Sequence, residues 1–129
     1  MKNQLLILSL VLFPILSIAE VITLNHDGMM ITAEYDKATL SKTKNMHFLY
    51  GNVEIENTTQ MVKKYSNKNL ILNIDDLQSR TYMDSVASMV IDFSQISLKP
   101  GEKQLNDVYW VFDRAVSTQG KAVSLKWNQ

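Results

Sequence analysis

The sequence predicts an all-β domain, an antiparallel β-sandwich of about seven short strands, placed after a cleaved N-terminal signal peptide. Two observations support this fold class. Apolar residues recur mostly with a period of two, the period of strands, rather than 3.6, the period of helices. Turn signals recur roughly every ten residues, a spacing typical of sandwiches. The chain of 129 residues contains no cysteine, so packing alone must stabilise the fold.

The first nineteen residues have the layout of a secretory signal peptide. A positively charged start precedes an almost unbroken apolar run over residues 5–16, and Ser17 and Ala19 are small residues suited to a cleavage site before Glu20. The run is short for a membrane span, and every later apolar run is interrupted by charge. We therefore expect residues 1–19 to be removed and residues 20–129 to form one domain with no transmembrane segment.

The first strands follow from alternation and turn chemistry. Residues 20–25 and 29–35 read as two strands, and Asn25-His26-Asp27-Gly28 between them is a turn because Asp-Gly tolerates positive φ. Residues 36–45 are polar and predict a loop.

Residues 46–57 give the clearest strand signal. The apolar residues change parity within it, and a bulge at Gly51-Asn52 would place all of them on the core side. These residues are Met46, Phe48, Tyr50, Val53 and Ile55. Asn57-Thr58-Thr59 matches the glycosylation sequon, and we interpret it instead as the turn that ends the strand.

The middle of the chain leaves alternatives open. Residues 60–68 fit one or two helical turns or a strand, and residues 76–88 fit a short helix capped by Asp76 or a loop with an edge strand. Between them, residues 70–75 predict a strand with Leu70, Leu72 and Ile74 inward.

The last third is more regular. Residues 88–98 predict a long strand with a bulge or bend near Ser94-Gln95, followed by a turn at Lys99-Pro100-Gly101-Glu102. Residues 108–113 are apolar on both faces, which predicts a central strand covered on both sides. Gln119-Gly120-Lys121 turns the chain into a last strand, 122–128, with Val123, Leu125 and Trp127 inward.

Two segments of this pattern resemble small exported bacterial immunoglobulin-like domains. They are the strand ending Val53-Glu54-Ile55-Glu56-Asn57-Thr58-Thr59 and the segment Ile96-Ser97-Leu98-Lys99-Pro100-Gly101-Glu102 before the last pair of strands. The resemblance covers most of the mature chain and implies an immunoglobulin-like β-sandwich. It implies no activity and no site residue, since many such domains have no assigned function.

The balanced charge of the chain argues against nucleic acid as its partner. The chain carries 13 basic and 13 acidic residues, so it lacks the concentrated basic face that binds nucleic acid. Without cysteine it is not a lipoprotein of the kind acylated at the cleavage site. We expect it to be periplasmic or secreted, and a cysteine-free exported domain fits a bacterial periplasm best.

The sequence contains two groups of residues that are candidate metal ligands. Histidine and thioether ligands suit copper, and the candidate set is His26, Met29, Met30, Met46 and His47. The alternative places the two histidines on exposed positions and the methionines in the core. Asp75-Asp76 with Asp84 and Asp92 could form a calcium site, but no regular alternation of acidic ligands is present and we interpret them as solvated loop carboxylates.

No motif for catalysis is present in the sequence. It has no Gly-x-Ser-x-Gly elbow and no phosphate-binding glycine loop. Tyr109, Trp110, Phe112 and Trp127 could line a ligand groove or form the core, and Tyr109 is the one expected to reach solvent. We therefore expect a non-catalytic binding module without a cofactor, which contacts another envelope or extracellular protein through loops or a sheet edge. A small copper-handling protein is the alternative.

Overall fold

The computed structural model describes residues 20–84 and 96–128, which form an all-β fold with one 3-10 turn, Asn67–Asn69. Eleven strands occur in these residues, rather than about seven, because several are only two to four residues long. In chain order they are β1 (Glu20–His26), β2 (Met29–Tyr35), β3 (Leu40–Thr43), β4 (Met46–Asn57), β5 (Lys63–Tyr65), β6 (Leu70–Ile74), β7 (Leu77–Arg80), β8 (Tyr82–Met83), β9 (Ile96–Leu98), β10 (Lys103–Phe112) and β11 (Val123–Trp127).

All strand pairs in the described residues are antiparallel. A six-stranded sheet has the order β1-β2-β4-β10-β8, with β3 also paired to β4. A three-stranded sheet has the order β11-β6-β7, and β5 and β9 form a two-stranded ribbon. The alternating polarity of the sequence therefore gives antiparallel sheets with one buried face each.

The sheets and the ribbon contribute to one hydrophobic core. Trp110 on β10 lies at its centre, completely buried, and its indole Nε1 donates to the Thr81 hydroxyl at 2.8 Å. The Thr81 hydroxyl in turn donates to the carbonyl oxygen of Leu70 on β6 at 2.8 Å. This chain of hydrogen bonds ties β10 of the large sheet to β6 of the small sheet through buried groups.

Turn chemistry was predicted correctly from the sequence. Asp27 and Gly28 both have positive φ, 51° and 77°, and join β1 to β2 in a two-residue hairpin with His26 opposite Met29. Gly101 has a φ of 78°, and the Glu102 amide donates to the Lys99 carbonyl at 3.0 Å. These turns form where residues that tolerate positive φ interrupt the alternation.

The bulge expected at Gly51-Asn52 is wrong. β10 pairs with β4 in unbroken register through Gly51, which lies opposite Val108. The pairing of β2 with β4 is also unbroken and ends at Gly51, opposite Tyr35. Gly51 is needed for space: a Cβ there would overlap the carbonyl oxygen of Glu34 and would lie 3.0 Å from Trp110 Cζ3. The glycine accommodates its neighbours and does not change the parity of the strand.

As a result, the core-facing and outward-facing residues in the first half of β4 are the reverse of those expected from the sequence. Leu49, Val53 and Ile55 are buried, whereas Phe48 and Tyr50 are half-buried on the opposite face and Met46 is 43% exposed. The expectation that Met46, Phe48 and Tyr50 lie in the core is wrong for all three.

Other differences follow from short or polar strands. Residues 40–43, expected as loop, form β3 although all four side chains are exposed. Residues 60–68 contain both β5 and the 3-10 turn, and residues 77–83 form β7 and β8 rather than a helix. Trp127, expected to be largely buried, is half-buried beside the core. The bulge near Ser94-Gln95 and the strand over 88–95 lie outside the described residues.

Within 20–84 and 96–128 the structure contains no helix long and apolar enough to cross a membrane.

Candidate interaction surface

The outer face of the six-stranded sheet carries a row of tyrosines. Tyr50 on β4 lies opposite Tyr109 on β10, and Tyr109 lies opposite Tyr82 on β8, so the three form one cross-strand row. Side chains alternate between the two faces of a strand, so these tyrosines lie on the face of the sheet away from core residues such as Leu49 and Trp110. We call the set Leu40, Phe48, Tyr50, Tyr82 and Tyr109 the tyrosine face.

The rings of the tyrosine face stack on one another. The Tyr109 ring lies parallel to Tyr82 at a centroid distance of 5.2 Å and to Phe48 at 5.1 Å, each with an interplanar angle of 8°. Tyr50 is tilted against Tyr109 at 6.2 Å. All four rings are half-buried, and Leu40, which lies opposite Phe48, is 59% exposed. Offset stacking fixes the rings side by side across three strands.

Cationic side chains stand at both ends of the tyrosine face. The Arg80 guanidinium carbon lies 4.3 Å from the centroid of the Tyr82 ring. At the other end, Lys42 Nζ lies 6.0 Å from the centroid of the Tyr50 ring. Both distances are within the range of cation–π attraction. The face therefore combines aromatic edges, an exposed aliphatic side chain and positive charge.

Acidic residues occupy the adjoining part of the same outer face. Glu34 on β2 and Asp107 on β10 both lie opposite Asn52 of β4, and Glu54 and Glu56 follow along β4. The two halves of the outer face thus differ in character, since one half is aromatic and the other carries four acidic side chains together with Lys103 and the exposed Leu105.

The five residues of the predicted copper site are not brought together. Met29 and Met30 lie opposite Asn57 and Glu56 at the far end of β4 from Met46. Ten residues of extended strand separate those levels, about 33 Å. Met29 is buried, and the His26 ring stacks on Trp127 at 4.8 Å.

His47 lies with Met46 at the other end of β4. Its Nε2 hydrogen-bonds the carbonyl oxygen of Lys44 at 3.2 Å. Both histidines are half-buried rather than exposed as expected. In the described part of the chain, no three His, Asp or Glu side chains are grouped so that they could hold a metal ion.

Among the aspartates of the predicted calcium site, Asp75 has a structural role, whereas Asp76 and Asp84 are exposed. Asp75 has a φ of 51° in the turn between β6 and β7, and its carboxylate accepts from the Ala122 amide at 3.0 Å. Asp84 is exposed after β8, and Asp92 lies outside the described residues. A shallow cleft of about 320 Å³ lies beside Asp75, with Arg114 and Lys121 on its wall. Arg114 pairs with Asp113 at 3.0 Å and Lys121 with Asp75 at 3.7 Å, so charge is balanced locally.

The Asn57 side chain has its full set of hydrogen bonds. Its Nδ2 donates to the carbonyl oxygens of Met61 at 2.7 Å and Leu98 at 3.0 Å. Its Oδ1 accepts from the amide and the hydroxyl of Thr59, at 2.9 and 2.7 Å. Asn57 is completely buried, so the sequon Asn57-Thr58-Thr59 forms a structural turn, as predicted.

Burial also perturbs one tyrosine away from the tyrosine face. Desolvation raises the pKa of Tyr65 to about 12, with a further increase from the charge of Glu102 and an opposing contribution from the amide of Asn106. A neutral buried phenol of this kind is a poor acid or base near neutral pH.

Comparison with known proteins adds little to this description. No family model matches the chain. No curated protein matches it either. A solved structure, the crystal structure of a functionally unknown protein from Listeria monocytogenes EGD-e, is similar over 87% of this chain and 91% of that chain, with 9% identity and a TM-score of 0.46.

Proposed function

We propose that the protein is a non-catalytic exported interaction module of a bacterial envelope, which binds another envelope or extracellular protein through the tyrosine face. In this proposal residues 1–19 are a signal peptide, residues 20–129 form an immunoglobulin-like β-sandwich, and the mature protein is periplasmic or secreted. The sequence predicts contact through loops or a sheet edge, and we assign the contact to a sheet face.

The stacked row of Tyr82, Tyr109 and Phe48 is the observation that supports this function. The row lies on the side of the sheet opposite the core, so these aromatic residues are not needed to fill the interior. Tyrosine and arginine are among the residues enriched where protein interfaces derive most of their binding energy. An outer sheet face with this composition is therefore suited to contact with another protein.

The stacking also favours a protein over a small ligand as the partner. Because the Tyr109 ring is stacked on both Tyr82 and Phe48, its faces are occupied by neighbouring rings of the same surface. Ring edges with hydroxyl groups, beside an exposed leucine, offer a broad amphipathic surface rather than a deep pocket.

The test is capture of partners from the native envelope fraction by immobilised exported protein. We expect a specific protein to be retained by the unchanged chain and lost with the double variant Phe48→Ser/Tyr50→Ser. Met61→Ser is the matched control because Met61 is 67% exposed and lies away from the tyrosine face. It removes exposed apolar surface and should retain the partner.

Thermal melts of all three proteins separate binding from folding. Loss of capture by a face variant that still melts cooperatively supports the proposal. Equal capture by the face variant and the control contradicts it, as does a chain that retains nothing from the envelope fraction.

A further inference from the structure

We infer that the edge strand β1 pairs with β1 of a second copy, so that two chains form a symmetric dimer with one continuous sheet. This inference is independent of the tyrosine face, because β1 is the opposite edge of the six-stranded sheet from β8. It assigns a second interaction surface, whose partner is the chain itself.

The outer side of β1 has no strand partner among the described residues. β1 is seven residues long, and all seven pair with β2 in unbroken register. Its outward side chain Val21 is 53% exposed. A long, regular edge of this kind presents unpaired backbone donors and acceptors to another chain.

The other edges in the described residues have protection that β1 lacks. Lysine, arginine or very short length normally prevents pairing at an edge, and β1 contains no lysine, arginine, proline or glycine. The remaining edge strands are β3 with Lys42, β5 with Lys63 and Lys64, β7 with Arg80, β11 with Lys126, and β8 and β9 with two and three residues. The open edge is therefore confined to β1.

The sequence of β1 is complementary to itself about Thr23. Antiparallel pairing of two copies centred on Thr23 places Val21 opposite Asn25 and Ile22 opposite Leu24. It also places Glu20 opposite His26 at both ends, a carboxylate acceptor facing an imidazole that can donate. A two-fold axis through this position closes the pair at two chains.

Several apolar residues on and beside β1 are also only partly buried. Ile22 and Leu24 point toward the core but are only half-buried, and so are Val123 and Trp127 of β11. The stack of His26 on Trp127 shows that β11 lies beside β1 in the second sheet. A second β1 would cover Ile22 and Leu24 with the same residues of the other chain.

The experiment is analytical ultracentrifugation of the exported protein from about 10 μM to about 1 mM, which spans the weak affinities expected of an interface smaller than standard size. We expect a reversible monomer–dimer equilibrium. Thr23→Lys and Thr23→Asp should each be monomeric, because like charges would then face one another across the axis. An equimolar mixture of the two variants should form a heterodimer.

Met30→Lys is the matched control. It adds the same charge to the same outer face on β2, one strand in from the edge, and should leave dimerisation unchanged. The absence of native cysteine allows a second measurement. Thr23→Cys should oxidise to a disulfide-linked dimer faster than Met30→Cys, because only position 23 meets itself across the axis.

A protein that stays monomeric over the whole range overturns the inference, as do assemblies larger than two chains. A dimer that survives both charged variants of Thr23 also overturns it. If that dimer is lost with Phe48→Ser/Tyr50→Ser instead, the tyrosine face is where the copies meet and β1 is not.

Discussion

Thr81 occupies a position where replacing one hydroxyl tests the buried connection between the two sheets. Thr81→Val preserves the shape of the side chain but removes the acceptor of the Trp110 Nε1 hydrogen bond, which is 2.8 Å long. The Leu70 carbonyl keeps a donor, because the Thr81 amide also bonds it at 3.0 Å. The variant therefore leaves one buried donor, the indole N–H, without a partner.

The expected loss of stability follows from that one group. A buried donor left without a partner costs about 1–3 kcal/mol. Burying a methyl group in place of the hydroxyl returns up to about 0.8 kcal/mol. The net loss in the free energy of unfolding should be about 1–2 kcal/mol. Each kcal/mol lost lowers the Tm of a domain near this size by about 4–8 °C.

Thr118 provides a matched control within the same chain. It is also buried, and its amide and hydroxyl both donate to the carbonyl oxygen of Lys37, at 2.8 and 3.1 Å, as those of Thr81 do to Leu70. No indole donates to it, so Thr118→Val leaves no donor without a partner and should cost clearly less than Thr81→Val.

Urea unfolding followed by tryptophan fluorescence gives the free energies. The Trp127→Phe background isolates the signal of Trp110, since the chain has two tryptophans. In a separate Trp110→Phe variant that keeps Trp127 as its fluorescent reporter, the cost of Thr81→Val should fall by about 1 kcal/mol, because the donor is already gone. An equal cost with and without the indole, or equal costs at Thr81 and Thr118, would refute the reasoning.

Three other predictions use the same unfolding assay. Asn57→Asp should lose about 3 kcal/mol or more at pH 7, because a buried carboxylate cannot donate to the two carbonyl oxygens that Asn57 serves; Asn57→Asp as stable as the parent would contradict this. Gly51→Ala should lose about 1–3 kcal/mol through overlap with β2, although the backbone there has no positive φ. Tyr65→Phe should be nearly neutral at pH 7 and should weaken the fall in stability from pH 10 to about 12, where the unfolded phenol ionises and the folded one, with its raised pKa, stays protonated.

The sequence predicted most strand positions but exchanged the faces of β4. Alternation and turn residues are local, so the bounds 46–57 and the Asp27-Gly28 hairpin were confirmed. In the first half of β4 the outer face carries three apolar residues, Met46, Phe48 and Tyr50, and the core face only Leu49, so alternation alone selects the wrong face. Which face of β4 meets the core depends on its long-range pairing register with β2 and β10. The same register places Gly51 against its neighbours.

The tyrosine face was missed for the same reason. Its members come from four strands that are distant in sequence, and only the pairing of β8, β10, β4 and β3 brings them together. Tyr109 was expected to reach solvent, and it is half-buried on the outer face. β3 was missed because its residues, Leu40–Thr43, are exposed and mostly polar, which leaves no hydrophobic pattern to detect.

The burial of Asn57 has a consequence for the choice of expression host. Glycosylation of a sequon joins a sugar to the amide nitrogen of asparagine, and in this fold that nitrogen binds the carbonyl oxygens of Met61 and Leu98 inside the protein. An oligosaccharide attached to the nascent chain would keep the turn from closing and would separate β4 from β9. In a secretory pathway that modifies sequons, the native fold and the glycan are mutually exclusive, and a Thr59→Val variant would escape the sugar only by giving up the hydroxyl that bonds Asn57.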